Sequence, residues 1–358
     1  MSETPLPNAG LIRSLEIQSA VCDAMGSPFS GALLAAAARD AAAGGPTQAL
    51  MSRWSQNPAG ALMKDAVALR LLGALHDLAL SGGDAALASA YPTETRAGDA
   101  TAAWAAALGA ISTRAESLGR FLDHEPQTNE ARRSACLLPG FLTVAKATGL
   151  PMRIFELGAS AGLNQLWDRY DYALGATDRW GPATSPVHIP TDWRGQPPPL
   201  NARIDVTERA ACDRKPVDLE DAAARRRLRA YVWADQLDRL ERLDAAIAVA
   251  RAAGTVVESA DAAEWTQHRV SPLSGAVTVL FHSVFWQYMP KETQAALAET
   301  IAKIGARATN DAPFAWLRME PQPTDMTIME LRLTMWPGGE DKRLAIVHAH
   351  GAWVDWTG

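Results

Sequence analysis

Cysteine is scarce in this sequence. The 358 residues include Cys22, Cys136 and Cys212, and no two of them form a Cys-x-x-Cys pair. Disulfide-stabilised secreted domains and zinc knuckles need more cysteines at closer spacing. The pattern therefore argues against both classes and predicts three buried thiols.

Long apolar runs are missing as well. The longest uncharged alanine-rich run, ATAAWAAALGAIST from Ala100, is shorter than the roughly 20 residues that a bilayer span needs. The first residues, MSETPLPNAG, lack the basic start and apolar core of a secretory signal. We expect a cytoplasmic protein with no membrane insertion.

An excess of positive charge is also absent. Lysine and arginine total 34 against 40 aspartate and glutamate residues, which gives a formal net charge of −6. Such a balance provides no general electrostatic attraction to nucleic acid, although RRRLR from Arg225 is locally basic. We interpret that run as the solvated start of a helix and expect a small-molecule partner and no nucleic acid.

The chain divides into two parts by its pattern. Up to residue 149, apolar residues recur at helical spacing, as in ALMKDAVALRLLGALHDLAL, with Ser, Pro and Gly at helix ends. From Met152 onward, short β-type runs alternate with long helical spacers, which predicts crossover connections. The predicted fold class is α/β, with a helical N-terminal cap at 1–149 and a doubly wound, mostly parallel sheet at 150–358.

Seven runs in the second part predict strands. They are MRIFEL at Met152, ARIDV at Ala202, TVVES at Thr255, AVTVLFHSV at Ala276, FAWLRME at Phe314, ELRLTMW at Glu330 and RLAIVHAHGAWV at Arg343. The tight loop WPGGEDK predicts that the last strand is antiparallel to its neighbour. The proline-rich stretch at 180–200 is too long for a turn, and we expect it to form a folded insertion over the sheet.

A turn of small residues follows the first strand. The stretch RIFELGASAGLNQLWDRYDY, from Arg153, contains an apolar run, an acid, a Gly-x-Ser-x-Gly turn and a helical pattern. Ligands of doubly wound sheets bind where strand ends meet helix starts. A dinucleotide loop would need glycine at Ser160 and Leu163, and no Gly-Lys-Ser/Thr follows, so neither common phosphate-binding loop fits.

The pattern Glu-x-Gly-x-Ser-x-Gly resembles instead the first motif of class I S-adenosylmethionine-dependent methyltransferases, usually an acid followed by Gly-x-Gly-x-Gly. The resemblance implies a Rossmann-like, methyltransferase-type fold, S-adenosylmethionine as cofactor and a small-molecule methyl acceptor. The cofactor-binding residues that it indicates are Glu156, Gly158, Ser160, Gly162, Asn164 and Asp261. An acid for the ribose hydroxyls should end the second strand, where Asp205 is the available residue.

The run VLFHSVFWQY occupies the fourth-strand position, where methyltransferases carry groups that face the substrate. We predict that His282 ends a buried strand, and a histidine there could act as a base that takes a proton from the substrate. A buried histidine that bonds to a neighbouring loop would give the same pattern. Trp286 follows at the ligand edge as a substrate contact.

Two other interpretations of the turn remain open. A serine hydrolase would use Ser160 as the nucleophile, and His348 and His350 come late in the chain as such enzymes require. Glu156 interrupts the strand, and no His-Gly-Gly segment precedes it, so we rank the methyltransferase first. The third interpretation is a catalytically degenerate relative that binds a nucleoside-like ligand or none.

A polar cluster, QTNEARR, precedes the first strand. Gln127, Asn129 and Arg132 suit a substrate contact, while helix capping and an ion-pair network explain the same residues structurally. The following helix, roughly 19 residues and about 28 Å long, could run back across the sheet. We predict that the cluster lies close to the glycine-rich turn or His282.

Several segments together resemble one bacterial family, known as domain of unknown function 2332. They are QTNEARRSACLLPGFL, ELGASAGLNQLWDRYDY, VLFHSVFWQYMP, WLRMEP and ELRLTMWPGG. The resemblance runs from about Gln18 to Trp356. Because that family has no established activity, it supports the predicted fold more than the predicted function.

Overall fold

The computed structural model describes residues 8–358, which form two compact units. The first unit runs through Thr128 and includes Glu220–Glu241. The second unit comprises Asn129–Leu219 and Arg242–Gly358. Each unit is therefore built from two separate stretches of sequence.

The first unit is helical. Its helices are α1 (Ala9–Ala24), α2 (Pro28–Ala42), α3 (Pro46–Leu50), α4 (Ala59–Lys64), α5 (Val67–Leu80), α6 (Ala85–Ala90), α7 (Ala100–Leu122) and α9 (Ala222–Ala230), with a 3₁₀ turn at Ser52–Trp54. Leucine and alanine side chains fill its core. Asp84 and Asp99 accept backbone hydrogen bonds at the starts of α6 and α7, which satisfies amides that the helices leave unpaired.

The second unit is an α/β structure built on a mostly parallel sheet. Within the described residues, eleven strands join in the order β3-β2-β4-β11-β10-β9-β8-β7-β1-β5-β6. Their bounds are β1 (Met152–Leu157), β2 (Asp171–Leu174), β3 (Asp178–Trp180), β4 (His188–Arg194), β5 (Val206–Asp213), β6 (Glu258–Ser259), β7 (Val277–Ser283), β8 (Phe314–Gln322), β9 (Asp325–Trp336), β10 (Glu340–Val347) and β11 (Trp353–Trp356). The strands β6, β5, β1, β7 and β8 are all parallel. Their carboxyl ends therefore share one edge.

Helices lie on both faces of this parallel part. The helix α8 (Ser134–Thr148) places Phe141 against Phe281 of β7, whereas α12 (Lys291–Gly305) packs Leu297 with Leu280. Because adjacent residues of a strand point to opposite faces, α8 and α12 cover opposite sides of the sheet. The remaining helices are α10 (Leu237–Ala252), whose sequence passes from the first unit into the second, and α11 (Ala262–Arg269).

Several local predictions differ from the structure, among them the strand TVVES, of which Glu258–Ser259 alone forms β6. The proline-rich stretch does not lie over the sheet, because Ile189 and Thr191 alternate with exposed residues and form the strand β4 within it. The second parallel strand begins at Val206, not Ala202. The last apolar run forms two strands, β10 and β11, which pair in an antiparallel arrangement.

Other sequence predictions agree with the structure. The loop WPGGEDK joins β9 and β10 as an antiparallel hairpin. Cys22, Cys136 and Cys212 are buried free thiols. Among residues 8–358, no helix has both the length and the apolar character of a membrane span.

Candidate functional site

The turn after β1 has an unusual backbone. Gly158, Ser160 and Gly162 all have positive φ, at 63°, 55° and 73°. Glycine adopts this left-handed region without a steric penalty, but a residue with a side chain rarely does. Ser160 therefore adopts a backbone conformation that is typical of glycine.

Two polar side chains outside the turn hold it. The Ser160 amide donates to Asp213 Oδ2 at 2.8 Å, and the Leu163 amide donates to Asn129 Oδ1 at 2.9 Å. Asp213 is the last residue of β5, so it reaches the turn from the end of the neighbouring strand. Its second oxygen accepts the Lys215 amide at 2.8 Å.

Glu156 lies beneath the turn. It is 2% exposed, and its Oε2 atom has no hydrogen-bond partner among the described residues. Burial raises the pKa of this carboxyl well above its usual value, and the negative charge of Asp213 raises it further. This acid, the residue before the last of β1, therefore lies in a poorly solvated environment.

The segment that follows the turn is a 3₁₀ helix, Leu163–Arg169, and not the α-helix that its pattern predicts. Three side-chain contacts explain the tighter winding. The Tyr170 hydroxyl donates to the Leu163 carbonyl at 2.6 Å, while Arg209 donates to Asp168 Oδ2 at 2.6 Å and to the Gln165 carbonyl. The contacts to the Leu163 and Gln165 carbonyls compete with the regular hydrogen bonds of an α-helix.

This stretch concentrates buried polar atoms without partners. Between residues 156 and 168, the atoms that lack a hydrogen-bond partner are Glu156 Oε2, Ser160 Oγ, Asn164 Oδ1, Gln165 Nε2, Trp167 Nε1 and Asp168 Oδ1. Buried polar groups normally find partners in protein or ordered water, since leaving one unpaired costs about 1–3 kcal/mol. A cluster of such atoms beside a strand end is typical of a site for a polar ligand or ordered water.

His282 is the residue before the last of β7, and it is fully buried. Its Nδ1 lies 2.6 Å from Glu320 Oε1, and the Trp316 indole donates to its Nε2 at 3.1 Å. Because an indole N–H can only donate, Nε2 accepts and the ring hydrogen lies on Nδ1. Trp286 stacks on the ring at 5.4 Å between centroids. Both nitrogens of the predicted base are therefore engaged within the protein.

The loop after β7 lies close to the glycine-rich turn. Val284 has a φ of 52°, which is rare for a β-branched residue, and the Phe285 amide donates to Glu320 Oε1 at 2.9 Å. A Cβ atom placed on Gly158 would lie 2.2 Å from Phe285 Cδ2. Strained residues cluster at functional sites, and here Ser160 and Val284 lie on touching loops at the carboxyl edge.

Asp261 lies at the same edge, after β6. Its carboxylate accepts the Ala263 amide at 2.9 Å and the Glu264 amide at 3.4 Å, so it is the N-cap of α11. The side chain is exposed. The capping role is sufficient to explain an aspartate at position 261. The contact between Asp261 and a cofactor remains a prediction.

The residues of the QTNEARR cluster have different surroundings. Asn129 contacts the glycine-rich turn through Leu163, as described above. Arg132 donates to the Pro190 carbonyl of β4 at 2.7 Å through Nη2 and 3.1 Å through Nε. Gln127 falls in the first unit. The structure therefore places Asn129 at the turn and engages Arg132 with β4.

A family model described as "Uncharacterized protein conserved in bacteria (DUF2332)" matches residues 13–356. The chain belongs to this family. The match confirms the resemblance drawn from the sequence segments. No curated protein and no solved structure matches the chain. The description of DUF2332 names no reaction, so the function of this family member has to be argued from its site.

Two residues of this DUF2332 site were missed by the sequence patterns. Asp213 contacts the turn, and Glu320 joins His282 to the Phe285 loop. Asp213 ends the segment VTERAACD, which forms the strand β5, although its charged residues are not typical of a buried strand. Glu320 ends the predicted strand WLRME, and its position on the strand next to that of His282 was the available signal.

Proposed function

We propose that this DUF2332 protein is an S-adenosylmethionine-dependent methyltransferase that acts on a small molecule, with a Rossmann-like fold of the methyltransferase type. The contact between Asp213, at the end of β5, and the left-handed turn after β1 carries the proposal. An acid at that strand end can accept hydrogen bonds from the hydroxyls of a ribose.

The strand order supports the same proposal. In the parallel part of the sheet, β5 and β6 lie on one side of β1, and the later strands β7 and β8 lie on its other side, while β2, β3 and β4 join the far end. The order therefore reverses beside β1, and open α/β sheets bind ligands at such a switch point. The glycine-rich turn and the end of β7 both lie there.

The residues of the site fit this cofactor. Asp213 supplies negative charge for a positively charged ligand, and each of its carboxylate oxygens has a second lone pair beyond its backbone bond. Asn164 and Glu156 bring unpartnered oxygens. The cofactor would supply an electrophilic methyl group, and these side chains would bind and orient it. For His282 to take a proton, the Trp316 indole has to leave Nε2.

Calorimetry tests the proposal directly. We expect S-adenosylmethionine and S-adenosylhomocysteine to bind the purified protein with measurable heat and to raise its melting temperature. A ligand at about 100 times its Kd stabilises the folded state by about 2.7 kcal/mol. Adenosine triphosphate is the control, because the two carboxylates should repel its phosphates. Absence of heat and of a thermal shift at millimolar ligand would reject the methyltransferase.

A degenerate relative is the second candidate, and two contacts favour it. The Phe285 ring fills the space next to Gly158, and Asp213 binds the Ser160 amide. A cofactor would approach both positions. If calorimetry detects no cofactor binding, these contacts show how residues of the protein itself fill the position of a cofactor. Binding to a partner protein then becomes the function to test.

The serine hydrolase predicts a different result. Ser160 Oγ is buried and has no hydrogen-bond partner among the described residues, so no histidine activates it in this structure. We expect a fluorophosphonate probe to leave the protein unlabelled. Ser160→Gly should keep or improve cofactor affinity, because glycine removes the strain at φ 55°. If the probe labels the unmodified protein and Ser160→Ala abolishes that labelling, the serine hydrolase becomes the better hypothesis.

A further inference from the structure

Glu156 is enclosed by the sheet and its neighbours. In the register of the sheet it lies between Ala211 of β5 and Phe281 of β7, both buried. No described residue donates a hydrogen bond to its Oε2 atom, and none forms an ion pair with it. An isolated carboxylate in such surroundings is costly, so burial favours the protonated form.

The charged groups around Glu156 do not neutralise it. On β5, Asp213 adds a second negative charge, and Arg209 is already paired with Asp168 at 2.6 Å. In the segment after the turn, the charges of Glu156, Asp168 and Arg169 act on Tyr170, whose hydroxyl donates to the Leu163 carbonyl. The helix α8 contributes the apolar Phe141 on this face of the sheet. Among the described residues, no positive charge therefore lowers the pKa of Glu156.

We propose that Glu156 is the residue that selects a positively charged ligand at this site, and that it releases its carboxyl proton when that charge arrives. The inference rests on the proposed function, because S-adenosylmethionine carries a sulfonium and an ammonium. The proton passes to solvent, the resulting carboxylate pairs with the ligand cation, and no bond within the ligand changes.

The exchange makes affinity depend on pH. While the free protein keeps Glu156 protonated, each bound ligand releases up to one proton, so affinity rises up to tenfold per pH unit. The ligand's own ammonium begins to lose its proton at about pH 7.7–8.0. Measurements between about pH 5.5 and 7 therefore isolate the carboxyl group.

Calorimetry in two buffers of different ionisation enthalpy counts the released protons without any variant. With S-adenosylmethionine at pH 6.5, we expect the apparent binding enthalpies in phosphate and in imidazole to differ by up to the difference between the ionisation enthalpies of the two buffers. S-adenosylhomocysteine lacks the sulfonium, so proton release with both ligands assigns the contact to the ammonium. Release with S-adenosylmethionine alone assigns it to the sulfonium.

Glu156→Gln keeps the shape and removes the titrating group. We expect this variant to bind with no buffer dependence and with affinity constant within about twofold from pH 5.5 to 7. Glu208→Gln, which alters an acid paired with Arg153, is the control and should behave as the unmodified protein does. Binding of S-adenosylmethionine to the unmodified protein with no buffer dependence would overturn this inference alone. No binding at any pH would overturn the proposed function as well.

Discussion

Replacing Gly158 by alanine should lower the melting temperature far more than replacing Gly149 by alanine, and should abolish cofactor binding. Both glycines are left-handed, with φ of 63° and 64°. A Cβ at Gly158 meets Phe285 at 2.2 Å, whereas one at Gly149 meets no atom within 4 Å. Gly149→Ala should cost about 1 kcal/mol from backbone strain alone. Overpacking against Phe285 should add about 1–3 kcal/mol at Gly158.

The double variant Gly158→Ala, Phe285→Ala separates the two contributions. Removing the Phe285 ring relieves the clash and leaves the φ penalty. The double variant should therefore lose less stability than the sum of the losses in Gly158→Ala and Phe285→Ala, as thermal unfolding can show. Such coupling is measured by a double-mutant cycle. Equal losses for Gly158→Ala and Gly149→Ala would show that the Phe285 loop yields freely and does not close on the turn.

The sequence predicted the elements that rest on local chemistry. The apolar run before Glu156 forms β1, and the small residues after it form a left-handed turn, because only such residues tolerate that backbone. The run at Ala276 forms β7 and places His282 near its end, buried as one structural interpretation required. Short-range pattern is sufficient for these features, since each depends on the residues next to it.

The errors arise where long-range pairs compensate for an unfavourable local pattern. The strand β5 carries Glu208 and Arg209, which do not resemble a buried strand. Glu208 pairs with Arg153 at 2.6 Å, and Arg209 pairs with Asp168 at 2.6 Å. Neither partner can be identified from local periodicity. The second strand was therefore placed too early, and Asp205 was named in place of Asp213.

Asp213→Asn should weaken binding of S-adenosylmethionine by about tenfold to a hundredfold, while Asp205→Asn should leave it unchanged. A hydrogen bond to a charged group contributes about 1.5–3 kcal/mol, and about 1.4 kcal/mol corresponds to a factor of ten. Asp213 accepts the amides of Ser160 and Lys215 at 2.8 Å each, whereas Asp205 is exposed before β5 begins. The asparagine retains one acceptor, so the fold should survive.

The same pair of variants distinguishes a ligand contact from a structural one. If Asp213 only supports the turn, Asp213→Asn should lower the melting temperature and change Kd in parallel at every salt concentration. If it also binds the ligand, Kd should rise more than the stability loss accounts for, and Asp213→Ala should be worse because it leaves two backbone amides unpaired. Unchanged Kd in Asp213→Asn with weakened binding in Asp205→Asn would return the ribose contact to the residue that the sequence pattern first indicated.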